Sequence, residues 1–252
     1  MINIIVNGCN GAMGQVLCNE IINNEEMNII AGVDRNPNKL DNPFSVYQSI
    51  LNVDDICDVI IDFSNPSHLN DLLEYSQDKK VPLVIATTGY SEEELIKIEN
   101  SSETVPIFLS SNMSLGVNVL LSMVRKAANI LSSSFDIEII EKHHNKKVDA
   151  PSGTALMIAN TINDELDNTK DFVYGRYTKK DKRQPKEVGI HAIRGGNIVG
   201  EHTVIFAGDD EVVEIKHTAN SKKIFAKGSL EAAQYIINQK PGLYTMDNLL
   251  NK

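Results

Sequence analysis

Three glycines at a fixed spacing constrain this chain more than any other feature. Residues 2–7 (INIIVN) form an apolar run that reads as a buried strand. Residues 12–22 (AMGQVLCNEII) repeat apolar positions with a period of about 3.6, as a helix does. Between them stand Gly8, Gly11 and Gly14, a GxxGxxG loop. Glycine allows positive φ and removes the Cβ, so backbone amides can approach a pyrophosphate. The helix start that follows adds donors and a favourable dipole. A glycine trio alone also occurs as an ordinary tight turn. Here Asp34 stands at the end of the next apolar run, twenty positions past Gly14, where a carboxylate accepts from a ribose diol. The combination points to a dinucleotide. Asp34 repels a 2′-phosphate and so favours NADH. Arg35 offers stacking on adenine, a partner for that phosphate, or a surface ion pair. The pair points to mixed use of NADH and NADPH.

Alternation continues to about residue 110. Strands are expected at 28–33, 59–63, 82–86 and 106–109, with helices at 66–75 and 91–99. Strands alternating with helices imply a parallel sheet with right-handed crossovers, covered on both faces. Ligands sit at the carboxyl ends of such strands. Two further loops should therefore line the same crevice, Ala86-Thr87-Thr88-Gly89 and Ser110-Ser111-Asn112-Met113. Helix capping is the competing use of Thr88 and Ser91. The pattern changes after residue 114. A helix is expected at 115–131, a strand at 136–141 and a helix at 152–162. A polar loop should fill 165–187, and three strands should follow at 188–194, 199–207 and 211–217. Glycine-rich hairpin signals at 195–197 and 208–210 separate them. That segment reads as a second domain with a mixed or antiparallel sheet. A helix over 222–238 should close the chain.

Composition narrows the function. The 252 residues carry 24 basic and 34 acidic side chains, a net charge of −10. Nucleic-acid binders usually carry a basic surface, so that class is disfavoured. No apolar run approaches the roughly 18 residues of a membrane span, and no basic leader precedes the first apolar run. Cys9, Cys18 and Cys57 form no CxxC pair and fit a reducing cytoplasm as small buried side chains. Against this acidic background, residues 141–147 (EKHHNKK) gather three lysines and two of the six histidines. They follow a strand and are expected in a loop. They precede Pro151, Ser152, Gly153 and Thr154, a helix start in which Ser152 can cap and Gly153 lets an anion approach. Cationic side chains and a helix start at one point suit a carboxylate-rich small molecule. Histidine can move a proton near neutral pH. A metal is the rival use of His143 and His144, but no cysteine or carboxylate set completes a ligand shell at the usual spacing, so no metal is expected.

With those residues in view, the chain resembles the 4-hydroxy-tetrahydrodipicolinate (dihydrodipicolinate) reductase family. The matching stretches are GCNGAMG (8–14), IDFS (61–64), ATTG (86–89), SNMSLGVN (111–118), EKHHNKKVDAPSGTA (141–155), GIHAIRGGNIVGEHTVIFAG (189–208) and HTANSKKIFAKG (217–228). They run in the family's order over nearly the whole chain, and the 141–155 block is the most specific. The resemblance implies an α/β chain: a Rossmann-type parallel-sheet domain over 1–114, completed by 223–252, and a smaller α+β domain with a mixed sheet over 115–222. The second would bind substrate and assemble a homotetramer. The implied reaction is NAD(P)H-dependent reduction of a small cyclic dicarboxylate on the diaminopimelate route to lysine. By motif position His143 would be the catalytic acid/base and Lys147 the proton donor, with His144, Lys147, Gly153 and Thr154 on the substrate carboxylates. Gly8, Cys9, Asn10, Gly11, Ala12, Met13, Asp34, Arg35, Ala86, Thr87, Thr88, Ser110, Ser111, Asn112 and Met113 would bind NADH or NADPH. Hinges are expected near Ser114 and Ser221. Some relatives carry glycine at the place of Ala86, phenylalanine at Met113 and arginine at Lys222.

Overall fold

A computed structural model describes residues 1–177, 179 and 181–251. The chain divides into two compact units, one of residues 1–115 with 222–252 and one of residues 116–221. In chain order the first unit runs β1 (Ile2–Asn7), α1 (Ala12–Ile22), β2 (Met27–Val33), β3 (Val46–Tyr47), β4 (Val59–Asp62), α2 (Leu69–Lys79), β5 (Leu83–Ile85), α3 (Glu92–Ser102) and β6 (Pro106–Leu109). Then follow α4 (Leu115–Leu131), β7 (Asp136–His143), α5 (Gly153–Glu165), β8 (Asp171–Tyr174), β9 (Glu187–Arg194), β10 (Gly200–Ala207) and β11 (Val212–Ala219). The chain returns to the first unit as α6 (Lys223–Ile236), β12 (Gly242–Tyr244) and α7 (Met246–Leu250).

The first unit is a seven-stranded, all-parallel sheet in the order β12-β6-β5-β4-β1-β2-β3. β1 is an interior strand between β4 and β2, which is why its apolar run is unbroken. Ile4 and Val6 pack with α1 and α6 on one face, Ile5 joins the layer with α2 on the other, and all three are fully buried. Strand order reverses between β1 and β4, the point at which doubly wound sheets open a crevice for ligand. The structure moves the expected 66–75 helix along the chain. A single 3-10 turn, Pro66–His68, capped by the Asn65 side chain, precedes α2. The helix over 222–238 does not close the chain either. β12 adds at the sheet edge beside β6, and α7 follows. A three-residue edge strand has too little pattern to announce itself.

The second unit has a five-stranded mixed sheet in the order β11-β10-β7-β9-β8. β7, β10 and β11 pair antiparallel, whereas β9 runs parallel to both β7 and β8. The 208–210 turn does join a hairpin. The 195–197 turn does not, because β7 lies between β9 and β10. Its glycines make a tight connection, with Gly196 at φ +47, and Gly195 donates to the carbonyl of His143 rather than across a β9–β10 ladder. β7 takes the central place because Ile137, Ile139 and Glu141 all need burial. The 165–187 stretch also contains β8, an edge strand the polar composition concealed; Thr178 and Lys180 of that stretch lie outside the described residues. α4 buries Val117, Leu120, Leu121, Val124 and Ala128, a spacing of three and four that gives one apolar stripe. With Ile158 and Ile162 of α5 it covers one face of the sheet. No helix among the described residues is long and apolar enough to cross a membrane.

Candidate functional site

The glycine loop is built by close packing. Gly8 has φ +82, and a Cβ there would stand 2.5 Å from the carbonyl oxygen of Phe63. A Cβ on Gly14 would overlap the carbonyl of Gly8. The amides of Gly8 and Gly11 are taken, by Val33 O at 2.8 Å and by Gly8 O at 3.0 Å. They shape the loop, and the donors left for a ligand are those of the first turn of α1. Its N-cap, Gly11, supplies no side-chain cap, and Ala12 and Met13 begin the helix. Cys9 and Asn10 point inward and are fully buried. Asn10 braces the loop, donating to Asn36 O at 2.9 Å and accepting from Asn42 at 2.9 Å. Burial pushes the Cys9 thiol up to about 11, assisted by the Asp34 charge, so it stays protonated.

Asp34 sits at the end of β2 with both oxygens engaged. One accepts from the Asn10 amide at 3.2 Å and the other from the Asn36 amide at 2.9 Å. Arg35 is exposed beside it and forms no ion pair among the described residues, which sets aside the surface salt bridge. Two hollows open over the carboxyl ends of the strands. One, of about 560 Å³, is lined by Gly8, Gly11, Asp34, Arg35, Lys39 and Ser64 among others. The other, of about 350 Å³, is lined by Met13, Ala86, Thr87, Thr88, Ser111, Asn112 and Met113, with Phe225 from α6. Phe63, Ser64 and Asn65 line both. The loops at residues 8–14, 86–89 and 110–113, far apart in sequence, thus converge, as the parallel topology requires. Ser110 braces its own loop, its hydroxyl donating to Asn112 O at 2.9 Å. Ser91 caps α3 in a box with Glu94, so its helix-capping use holds. A larger hollow, of about 660 Å³, lies at the opposite ends of the strands against Met1, Asp58 and Pro106, away from the loops.

Sequence reasoning omitted Phe63–Asn65 and the carboxylate below them. Asp62 is fully buried at the end of β4. It accepts from Asn7 Nδ2 at 2.8 Å and from the Ser64 hydroxyl at 2.6 Å, which ties β1 to β4 where the sheet opens. Burial raises its pKa, against those donors. The crevice rule itself was the available signal, because it assigns the loop after β4 to the site as firmly as the loop after β1.

The second unit assembles a different kind of site. Glu141, Lys142 and His143 are the last residues of β7 rather than a loop, which begins at His144. The strand ladder dictates this: Lys142 pairs with Glu201 and His143 with Arg194. Glu141 is fully buried and accepts four donors. They are His143 Nδ1 at 2.6 Å, both terminal nitrogens of Arg194 at 2.7 Å, and the Ser152 amide at 3.0 Å. Burial opposes its charge, but Arg194, His143 and the amide together hold its pKa below the ordinary value. Ser152 caps α5 through Ala155 N at 3.2 Å and meets His202 Nε2 at 2.9 Å. The His202 ring lies edge-on to His143, with centroids 5.2 Å apart. Burial, then the neighbouring His143, pushes His202 down to about 4, so it is neutral. Lys147 pairs with Asp149 at 2.9 Å, and Lys147 in turn holds the Asp149 pKa down. Gly153 opens α5, and a Cβ built on it would meet no atom within 4 Å. The histidine, the lysine and the open helix start therefore belong to one unit, and Glu141, Arg194 and His202 are additions the sequence did not single out. Among the described residues no group of three His, Cys, Asp or Glu side chains could hold a metal ion.

A dinucleotide fits the first unit on structural grounds: the loop admits no Cβ, the helix behind it is uncapped, and a carboxylate stands at the end of β2. A Rossmann unit of this kind, joined to a unit bearing a histidine-lysine cluster, defines a nicotinamide-dinucleotide-dependent oxidoreductase. Residues 2–113 match the family model for the amino-terminal part of dihydrodipicolinate reductase, and residues 116–250 match that for its carboxyl-terminal part. The chain belongs to the dihydrodipicolinate reductase family. It is 54% identical to the 4-hydroxy-tetrahydrodipicolinate reductase of Caldanaerobacter subterraneus subsp. tengcongensis, covering 100% of this chain and 99% of that one. It is 50% identical to the reductase of the same name from Clostridium tetani, covering 100% and 98%. The fold is similar to that of a dipicolinate-bound dihydrodipicolinate reductase from Paenisporosarcina sp. TG-14, with a TM-score of 0.81 at 23% identity over 97% of each chain.

Proposed function

We propose that the chain reduces 4-hydroxy-tetrahydrodipicolinate to tetrahydrodipicolinate with NADH or NADPH, in the diaminopimelate route to lysine, and that His143 supplies the proton. The observation that carries this reading is the surrounding of His143: a ring held by a buried carboxylate, in the same unit as Lys147 and an open helix start, in a chain of net charge −10. Dinucleotide binding is assigned to residues 1–115 with 222–252. Substrate binding and oligomerisation are assigned to residues 116–221. Ala12 and Met13 offer amides to the pyrophosphate over the cradle of Gly8 and Gly11, while Cys9 and Asn10 keep the loop in shape from beneath. Asp34 and Arg35 take the adenosine end. Ala86, Thr87, Thr88, Ser110, Ser111, Asn112 and Met113 take the nicotinamide end.

The bound dinucleotide supplies the hydride. The reduced ring is left with an electron-rich carbon that needs a proton. His143 gives it from Nε2, because Nδ1 is committed to Glu141. Lys147 now rests on the exposed carboxylate of Asp149, and a substrate carboxylate takes that place. His144, Gly153 and Thr154 hold the dianion against the first turn of α5, whose amides and dipole favour negative charge.

We further infer a homotetramer. The sheet face turned away from α4 and α5 carries Ile140, Ile193, Ile205 and Val212, of which Ile193 is 46% and Val212 59% exposed. Light scattering on the purified protein tests this. A reducing cytoplasm is the proposed location, in keeping with three free, buried thiols. The reaction itself is tested with pyruvate, aspartate semialdehyde and a dihydrodipicolinate synthase, following dinucleotide absorbance. Synthase-dependent oxidation of NADH or NADPH is expected. A folded protein that binds NADH but oxidises neither cofactor would overturn the substrate assignment.

A further inference from the structure

Glu141 accepts four hydrogen bonds in the second unit, and in the proton transfer proposed above it neither gives nor takes a proton. Its position is specific. It lies two residues before His143 on β7, so both side chains face the same side of the strand. Its Oε2 is 2.6 Å from His143 Nδ1 and 2.7 Å from Arg194, and its Oε1 takes the other arm of Arg194 and the amide of Ser152. Arg194 is one strand away on β9, directly opposite His143 in the ladder, and also donates to Asp149 O at 2.6 Å. The planar fork of arginine closes on both carboxylate oxygens, a geometry lysine cannot reproduce.

An ionised carboxylate offers only acceptors. The imidazole nitrogen that faces Glu141 must therefore carry a hydrogen, in the neutral ring as in the charged one. The other nitrogen, Nε2, becomes the one that gains and loses a proton. The chain leaves room there: position 200 is glycine, and a Cβ built on it would stand 3.1 Å from Nε2. His202 on β10 lies edge-on to the ring, and His217 on β11 and Lys147, which pairs with Asp149 in the loop after β7, stand near His202 in turn. None of them is hydrogen-bonded to either ring nitrogen of His143 among the described residues.

The geometry points to Glu141 as the positioning residue of the reaction: clamped by Arg194, it fixes the tautomer and orientation of His143 so that Nε2 is the nitrogen that delivers the proton. This rests on His143 as the proton donor. On delivery, the N–H bond at Nε2 breaks and its electron pair stays on the ring, while the new C–H bond takes the electrons left on the substrate carbon. The imidazole becomes neutral with Nδ1–H still on Glu141, and solvent restores the Nε2 proton. The same carboxylate holds the Ser152 amide, so it also sets the start of α5 relative to His143.

The test is Glu141→Gln, which keeps the shape and removes the charge. Turnover should fall by roughly tenfold to a hundredfold, less than the loss of the acid itself. Substrate KM and the Kd for NADH should stay near their original values. The basic limb of the kcat–pH profile should move to lower pH, because the protonated ring has lost its anion. Nitrogen NMR of 15N-histidine-labelled protein gives a readout independent of turnover. The His143 signal, assigned by its disappearance in His143→Gln, should report Nδ1–H in the parent and a mixture of tautomers in the variant. If loss of one charge leaves Arg194 unpaired and prevents folding, the pair Glu141→Gln/Arg194→Gln removes both charges and takes the same measurements. An unchanged profile and tautomer in a folded variant overturn the inference, as does a rise in KM with kcat intact, which would limit Glu141 to shaping the helix start. Full turnover in His143→Gln would instead overturn the proton-donor reading itself.

Discussion

The glycine loop of the first unit and the basic cluster of the second are both built for anions, with opposite materials. In the loop the backbone forms the site. Gly8 and Gly14 leave no space for a Cβ, the helix is uncapped, and the side chains of Cys9 and Asn10 turn into the core. In the cluster the side chains form it. Arg194, Glu141, His143 and Ser152 come from two strands and a helix start, and each is held by another. The only glycine at that helix start, Gly153, has open space around it. A site made of backbone tolerates changes of side chain but not of glycine, and a site made of side chains does the reverse.

The largest effect that can break this contrast lies at His143. His143→Gln should lower kcat by about 10²- to 10⁴-fold, the usual worth of a general acid, and leave NADH affinity intact by calorimetry. An equal loss of NADH binding would mean the two functions are not divided between the units. Gly14→Ala comes next. Its methyl would overlap the Gly8 carbonyl and lie 2.8 Å from the Cys9 Cα, so NADH binding should be lost and Tm should drop. Gly153→Ala should keep or raise Tm, since glycine costs a helix about 0.5–1 kcal/mol relative to alanine, while raising substrate KM. Matching thermal melts for the two variants would remove the contrast.

His202 sharpens it through pH. The folded protein holds this buried ring neutral down to about 4, while the unfolded chain protonates near 6.5. Between those values the unfolded state binds the extra proton, so stability falls as pH drops, by at most about 3 kcal/mol. Urea melts at pH 7 and 4.5 should show a smaller acid loss in His202→Gln; an equal loss would mean His202 is charged in the fold. The smallest effect is at Asp34. Asp34→Ala should move the NADH to NADPH ratio of kcat/KM toward NADPH by about tenfold, the scale of one hydrogen bond to a charged group. An unchanged ratio would take Asp34 out of the ribose site.

The legible elements were those with a strong local pattern. β1, α1, β6 and α4 begin and end where apolar period alone places them, because each buries a regular stripe. The Ser152 cap was legible for the same reason: its hydrogen bond closes within three residues. β8 and β12 were not, since short edge strands bury too little to leave a pattern. The Glu141 partners were hidden by distance. Arg194 is fifty-three residues from Glu141, and its arrival depends on β9 lying beside β7.

By itself, the sequence determined the class of chemistry. Glycines at 8, 11 and 14 with an acid at 34 demand a backbone cradle and a ribose acceptor, and a run of histidine and lysine in an acidic chain demands an anion. These are local statements, settled by φ, by the missing Cβ and by charge. Only the tertiary structure decided which residues hold those groups in place. The pairing of β7 with both β9 and β10 brings Arg194 and His202 to His143, and strand pairing between segments far apart in sequence depends on the burial of the whole sheet.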